Sequence, residues 1–295
     1  MKRIFSLLIC AVLTLFCSPF FGISTANPPT LAEMQNYLLG RSTEINVESE
    51  INVFDLAYAR RNYSTAEITD YGTPPNTSAT IFADFREEQM PYFEASDGWK
   101  NGGTFDCIWR GTNVFNSQGS LNLVIDADTV TGSNYRYSGG ECYSEDYCHY
   151  GYYEVSMQPI KNDGVVSSFF TYTGPHNGDP EDEIDIEFLG KDTTKVQFNY
   201  FTDGDMEGHV YLHDLEFDAA DGFHTYGFDW QPDSITWYVD GKAVHTASDN
   251  IPTTKGRIMM NAWNGIGADN WLKPFDGKTP LTARYQWVTY ILLNG

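Results

Sequence analysis

Glu183-Ile184-Asp185-Ile186-Glu187-Phe188 alternates acidic and apolar residues without a break. Successive side chains of a β-strand point to opposite faces. A strand here therefore puts Glu183, Asp185 and Glu187 on one face and Ile184, Ile186 and Phe188 on the other. The apolar face can close a sandwich core. The opposite face holds three carboxylates in one row, an arrangement that repulsion disfavours. Such a row suits a solvated face or a cation site. It also suits glycoside hydrolysis, which needs two carboxyl groups flanking the scissile bond. The Cα atoms of Glu183 and Glu187 would stand about 13 Å apart along an extended strand. Two glutamates leaning together can close much of that gap towards the roughly 5–5.5 Å that a retaining mechanism uses. Asp185 between them would raise a neighbour's pKa by repulsion or hold a proton for it.

Outward from this stretch the sequence keeps the same character. Ser120 to Ile125, Gly151 to Gln158 and Ser234 to Val239 read as short strands, and Asp240-Gly241 is a hairpin signal. Many short strands, few helical runs, 19 Tyr and 7 Trp predict an all-β antiparallel sandwich. For each aromatic the alternative to a binding role is core packing.

The first quarter of the chain differs. Residues 1–26 read as a signal peptide, with Lys2 and Arg3, an apolar run from Ile4 to Phe16, and small residues Ser24-Thr25-Ala26. That apolar run is short for a membrane span. Secretion to the extracellular side is expected. Residues 27–70 carry a helical run, Leu31 to Leu39, stopped by Gly40, and a second, Asp55 to Tyr63. Asn27, Leu31 and Ala32 recur as Asn52, Leu56 and Ala57, which suggests a paired-helix module. Between the runs, Glu44, Asn46, Glu48, Asn52 and Asp55 place side-chain oxygens at positions 1, 3, 5, 9 and 12 of a loop, the spacing of a weak calcium site. Residues 71–79, with Pro74-Pro75, read as a linker. The main domain is expected over 80–295.

The formal net charge is −22. Loss of Lys2 and Arg3 with the leader would leave about −24. This surface excludes nucleic acid and anionic lipid as partners but not a neutral polysaccharide. Cys107, Cys142 and Cys148 follow the leader. In an oxidising compartment two of them could pair, leaving one over.

The run from Glu183 to Asn199 resembles the active-site strand and its successor in bacterial lichenases of glycoside hydrolase family 16. The likeness extends from about Ile81 to Tyr290. It includes Ser167-Ser168-Phe169-Phe170-Thr171-Tyr172-Thr173-Gly174-Pro175, His224-Thr225-Tyr226-Gly227-Phe228-Asp229-Trp230 and Ile258-Met259-Met260-Asn261-Ala262-Trp263. The resemblance implies a jelly-roll sandwich with a cleft across its concave sheet. It implies Glu183 as nucleophile, Glu187 as general acid/base and Asp185 as their helper. It also implies substrate contacts at Asn101, Glu141, Phe170, Asn199, Trp263 and Trp271. The substrate implied is mixed-linkage β-1,3-1,4-glucan, cut by a monomer that requires no cofactor. The strict alternation favours the lichenase branch, since the laminarinase branch usually has one more residue before the last glutamate. Another family 16 activity, on laminarin or xyloglucan, and a carbohydrate-binding protein with weak or no catalysis are the competing readings.

Several positions depart from the family pattern. Glu181 replaces a tryptophan, Tyr143 an arginine and Phe201 a tyrosine, while Trp99 stands where a tyrosine is common. These changes imply altered substrate contacts. The usual partner of the cysteine at Cys107 is Gly139, so a disulfide would have to use Cys142 or Cys148. An acid that helps bind a structural calcium is Gln286, which puts that ion in doubt. In the N-terminal segment, Gln35-Asn36-Tyr37-Leu38-Leu39-Gly40 and Ile51-Asn52-Val53-Phe54-Asp55-Leu56 resemble a dockerin. That likeness implies a cohesin-bearing scaffold protein as partner. Glu44, Glu48 and Ser49 depart from the dockerin loop.

Overall fold

The computed structural model describes residues 81–86 and 90–292. The expected leader, helical module, calcium loop and linker lie outside them. Ile81 to Tyr290 forms one compact unit, and almost all of its regular structure is strand.

Two antiparallel layers face each other. One runs β11 (Tyr211–Asp214), β10 (Lys195–Phe201), β9 (Asp182–Leu189), β8 (Val165–Thr173), β15 (Gly256–Asn264) and β6 (Tyr137–Cys148). The other runs β5 (Ser120–Ala127), β16 (Leu281–Leu292), β7 (Gly151–Gln158), β12 (His224–Gln231), β13 (Ser234–Val239) and β14 (Lys242–Ala247). The N-terminal part of β6 pairs with β5, so this long strand passes from one layer to the other. Short strands β1 (Ile81–Asp84), β2 (Phe93–Ala95), β3 (Cys107–Trp109) and β4 (Val114–Ser117) add to β16, β6, β6 and β5 respectively. The expected strands are present. Asp240 and Gly241 both adopt positive φ, +46° and +76°, as a two-residue hairpin turn requires. The jelly-roll sandwich expected from the resemblance is the fold observed.

Period-two alternation builds the core. Ile184, Ile186 and Phe188 on β9 are fully buried. They point towards the layer that carries Tyr226, Phe228 and Trp237, which are equally buried. Phe188 packs edge-on against Tyr226 at 4.8 Å, and Phe198 stacks on Trp237 at 5.6 Å. Each such side chain contributes roughly 1.5–3 kcal/mol by leaving water. The indole of Trp237 also donates to the main-chain oxygen of Asp185 at 3.2 Å, tying the acid strand to the opposite layer. At the start of β9, the Asp182 carboxylate accepts from the amides of Asp203, Thr253 and Thr254 at 2.8–3.0 Å. The apolar residues thus hold β9 from beneath and Asp182 pins its end. The acid row has no freedom to slip register.

The structure corrects the disulfide expectation. Cys107, Cys142 and Cys148 are all free and buried. A Cβ at Gly139 would stand 2.9 Å from the Cys107 sulfur, so the position that could supply a partner carries no side chain. Burial pushes the Cys107 thiol up to about 12 and raises the other two. Gln286 accepts a hydrogen bond from Ser156 at 3.2 Å. Among the described residues, no three His, Cys, Asp or Glu side chains are grouped to hold a metal.

Candidate active site

The strand register fixes what surrounds each acid. Glu183 lies between Tyr172 of β8 and Phe201 of β10. Asp185 lies between Phe170 and Asn199, and Glu187 between Ser168 and Gln197. The rows continue across β15 and β6, through Phe170, Met259 and Tyr143, and through Ser168, Asn261 and Glu141. Together they floor a cleft of about 840 Å³ that contains all three acids.

Hydrogen bonds organise the floor into two chains. Ser96 donates to one Glu141 oxygen at 2.7 Å, Asn261 donates to the other at 3.3 Å, and Ser168 donates to the Asn261 carbonyl. Burial pushes the Glu141 carboxyl up to about 7, against the opposing pull of these donors. The second chain starts at helix α1 (Asp269–Leu272), where Trp271 donates through its indole to Gln197 at 3.1 Å. The Gln197 amide in turn donates to Glu187 at 2.7 Å. Trp271 fixes which end of the amide faces the acid, so Glu187 receives a donor rather than an acceptor.

The three acids sit in low-dielectric surroundings, and burial raises the pKa of each. Asp185 is 4% exposed. Burial and the charges of both glutamates hold it protonated well above the usual carboxylate range, and it hydrogen-bonds Glu183. That bond favours the ionised form of Glu183 against burial and the repulsion of Glu187 and Glu181. Glu187 is raised by burial to about 7, with Gln197 pulling the other way. Both glutamates are thus raised, Glu183 to about 8 and Glu187 to about 7, and what sets them apart is the partner: protonated Asp185 donates to Glu183, and the Gln197 amide donates to Glu187. Replacing Gln197 with methionine removes the donor that stabilises ionised Glu187. Its pKa then rises, and the alkaline limb of kcat/KM should move to higher pH by up to about one unit. A pH profile with an unmoved alkaline limb would contradict this.

Of the contacts expected from the sequence, Asn101, Glu141, Phe170 and Trp263 line the cleft. Glu141 is buried with both oxygens engaged, so it orients Asn261 more than it faces ligand. Asn199 and Trp271 stand outside the lining. Asn199 is buried beside Asp185, with its side-chain oxygen unpartnered, and Trp271 acts through Gln197. Of the changed positions, Glu181, Tyr143 and Trp99 line the cleft, while Phe201 does not. Gln197, Ser168, Asn261 and Arg257 were not singled out from the sequence. Gln197 had a signal: it lies two residues before Asn199 and therefore shares its face.

This is the arrangement that glycoside hydrolysis needs. Two buried glutamates and a protonated aspartate share one face of one strand, in a cleft that Trp99, Tyr143, Tyr147 and Tyr172 help to line. The Glycosyl hydrolases family 16 pattern matches residues 101–288. The chain is 58% identical over 225 residues to a xylanase/β-glucanase of Ruminococcus flavefaciens, covering 75% of this chain and 28% of that protein. It is 50% identical over 228 residues to a β-glucanase of Acetivibrio thermocellus, covering 77% of this chain and 65% of that one. This chain thus spans about a quarter and about two thirds of those relatives. A solved β-1,3-1,4-glucanase (lichenase) from a mouse hindgut metagenome superposes with a TM-score of 0.70 at 52% identity, covering 73% of this chain and all of that structure. The chain belongs to glycoside hydrolase family 16.

Proposed function

We propose that this chain is a secreted endo-β-1,3-1,4-glucanase that cleaves mixed-linkage β-glucan with retention of configuration. The observation that carries the mechanism is that Glu183 and Glu187 share one face of β9, each with its own hydrogen-bond donor. Glu183, raised to about 8 by burial, accepts from protonated Asp185, and Glu187, raised to about 7, accepts from Gln197. In this reading the ionised Glu183 attacks the anomeric carbon while Glu187 gives its proton to the departing oxygen. Glu187 then takes a proton from water as the water displaces Glu183 from the sugar. Asp185, held between them, shares its proton with the nucleophile and limits repulsion between the two glutamates. The β-glucanase and lichenase relatives support the substrate class. Trp99, which lines the cleft and is exposed, offers an apolar face for a neutral pyranose ring.

Reducing-sugar release from barley β-glucan, laminarin and xyloglucan, measured side by side, tests the assignment. Barley β-glucan should be cut fastest. A preference for laminarin would move the chain to another activity of the family, and binding without release would make it a carbohydrate-binding protein. Secretion rests on the leader-like residues 1–26. Docking through residues 27–70 rests on their dockerin likeness, and a pull-down against a cohesin with and without calcium tests it.

A further inference from the structure

Arg257 is the only lysine or arginine that lines the cleft among the described residues. It stands on β15, where the pairing with β6 is irregular. Arg257 pairs with Tyr147 and Met259 with Tyr143, so a step of two residues on β15 spans four on β6. An extra pair of residues bulges out of β6, and a bulge re-aims the side chains beside it. Here it brings two tyrosines to one guanidinium. The Arg257 guanidinium carbon lies 4.9 Å from the Tyr143 ring centre and 5.0 Å from that of Tyr147, within cation–π range. Lys255 also approaches Tyr147, at 5.7 Å, but does not line the cleft.

Ser144 anchors the bulge. Its main-chain oxygen accepts from Arg257 Nη1 at 2.9 Å, and its hydroxyl accepts from the Ile258 amide at 2.9 Å and donates to the Asp146 carbonyl at 2.6 Å. One of the five guanidinium N–H groups is committed in this way. Tyr143 is held in turn by donating to Glu94 at 3.0 Å. A planar fork of donors, fixed between two aromatic faces and open to a cleft, can take neighbouring hydroxyl groups in pairs. The other acidic side chains lining the cleft are Glu141, Glu181, Glu183 and Glu187, besides the protonated Asp185. An anionic sugar would meet them as repulsion, so the ligand suited to Arg257 is neutral.

Arg257 pairs with Tyr172, which pairs with Glu183, so Arg257 is two strands from the acid row. Strand spacing makes that about 10 Å, roughly two sugar units from the reacting bond. We infer that Arg257, clamped by Tyr143 and Tyr147, is a distal specificity residue that binds hydroxyl groups of a neutral sugar unit remote from the scissile bond. This rests on the glucanase reading above and deepens it.

Two measurements test the clamp. Hydrolysis of β-glucan oligosaccharides of increasing length is compared with that of a short activated aryl glycoside. Calorimetric affinity for the same oligosaccharides is measured in a Glu183→Gln background, so that binding is read without turnover. Arg257→Ala should raise KM about tenfold for long substrates, the worth of a charge-assisted hydrogen bond. It should leave kcat and the short glycoside nearly unchanged. Arg257→Ala combined with Tyr143→Arg, which moves the cation from β15 to the neighbouring β6, should recover much of the loss. Equal losses on short and long substrates, or no change in KM at any length, would overturn the inference. If no glucan is hydrolysed by the unaltered enzyme, the functional reading fails by itself. The affinities then still decide the clamp: a length-dependent gain abolished by Arg257→Ala supports it, and unchanged affinity overturns it.

Discussion

Glu183→Gln is expected to lower kcat/KM on β-glucan by at least about 10⁴-fold, the scale seen when a covalent nucleophile is removed. The fold should survive, because β9 is held by Ile184, Ile186 and Phe188 beneath and by Asp182 at its end. The same substitution has a signature in stability. Burial raises the folded-state pKa of Glu183 above its ordinary unfolded value near 4.3. The folded protein therefore binds more protons than the unfolded chain, and stability falls as pH rises from that value through the folded pKa. A glutamine does not titrate. Melting temperature should consequently decline less from mildly acidic to alkaline pH in the variant than in the parent. Activity within tenfold of the parent in a well-folded variant would remove Glu183 from the nucleophile's role.

Glu187→Ala should separate the two chemical steps. Hydrolysis of unactivated glucan is expected to fall about 10²–10⁴-fold, the usual worth of general acid–base catalysis. An aryl glycoside with a good leaving group needs little acid help, so Glu183 should still form its ester with the sugar. Removal of that ester should then stall for want of a base. Azide needs no deprotonation and should release the enzyme, giving a glycosyl azide of retained, β configuration. With Glu183→Ala the cavity admits azide from the nucleophile's side, and the product should be the inverted α-azide. The anomeric configuration of the two products is readable by NMR. Exchanged configurations would mean that the roles of Glu183 and Glu187 are exchanged.

The methionine substitution at Gln197 touches the same acid from its far side. In contrast to removing Glu187, it leaves both carboxyls in place and changes only how readily one ionises. Gln197 matters because β10 pairs with β9 in the register that sets it opposite Glu187. A one-residue slip would turn its amide into the core.

Much of this was legible in the chain. Strict alternation over residues 183–188 is enough to fix a strand, its buried face and its acid face, because side-chain period is a local property of extended backbone. Asp240-Gly241 likewise names its turn, because few other residue pairs tolerate positive φ twice in succession. The family likeness supplied the sandwich and named six contacts, of which Asn101, Glu141, Phe170 and Trp263 line the cleft while Asn199 and Trp271 do not. Local pattern does not report what lies across a strand or beneath a sheet. The proton on Asp185 depends on burial, with Trp237 from the other layer bonded to its main chain. The donor on Glu187 depends on Trp271, 74 residues beyond Gln197. The cysteines could be counted but not paired, because the gap at Gly139 matters only once β3 and β6 lie side by side. Arg257 looked unremarkable until a bulge in β6 set two tyrosines around it. The sequence by itself determined which residues share a face, since that follows from backbone periodicity. Only the tertiary structure decided their protonation and their partners, since both depend on desolvation and on contacts between residues far apart in the chain.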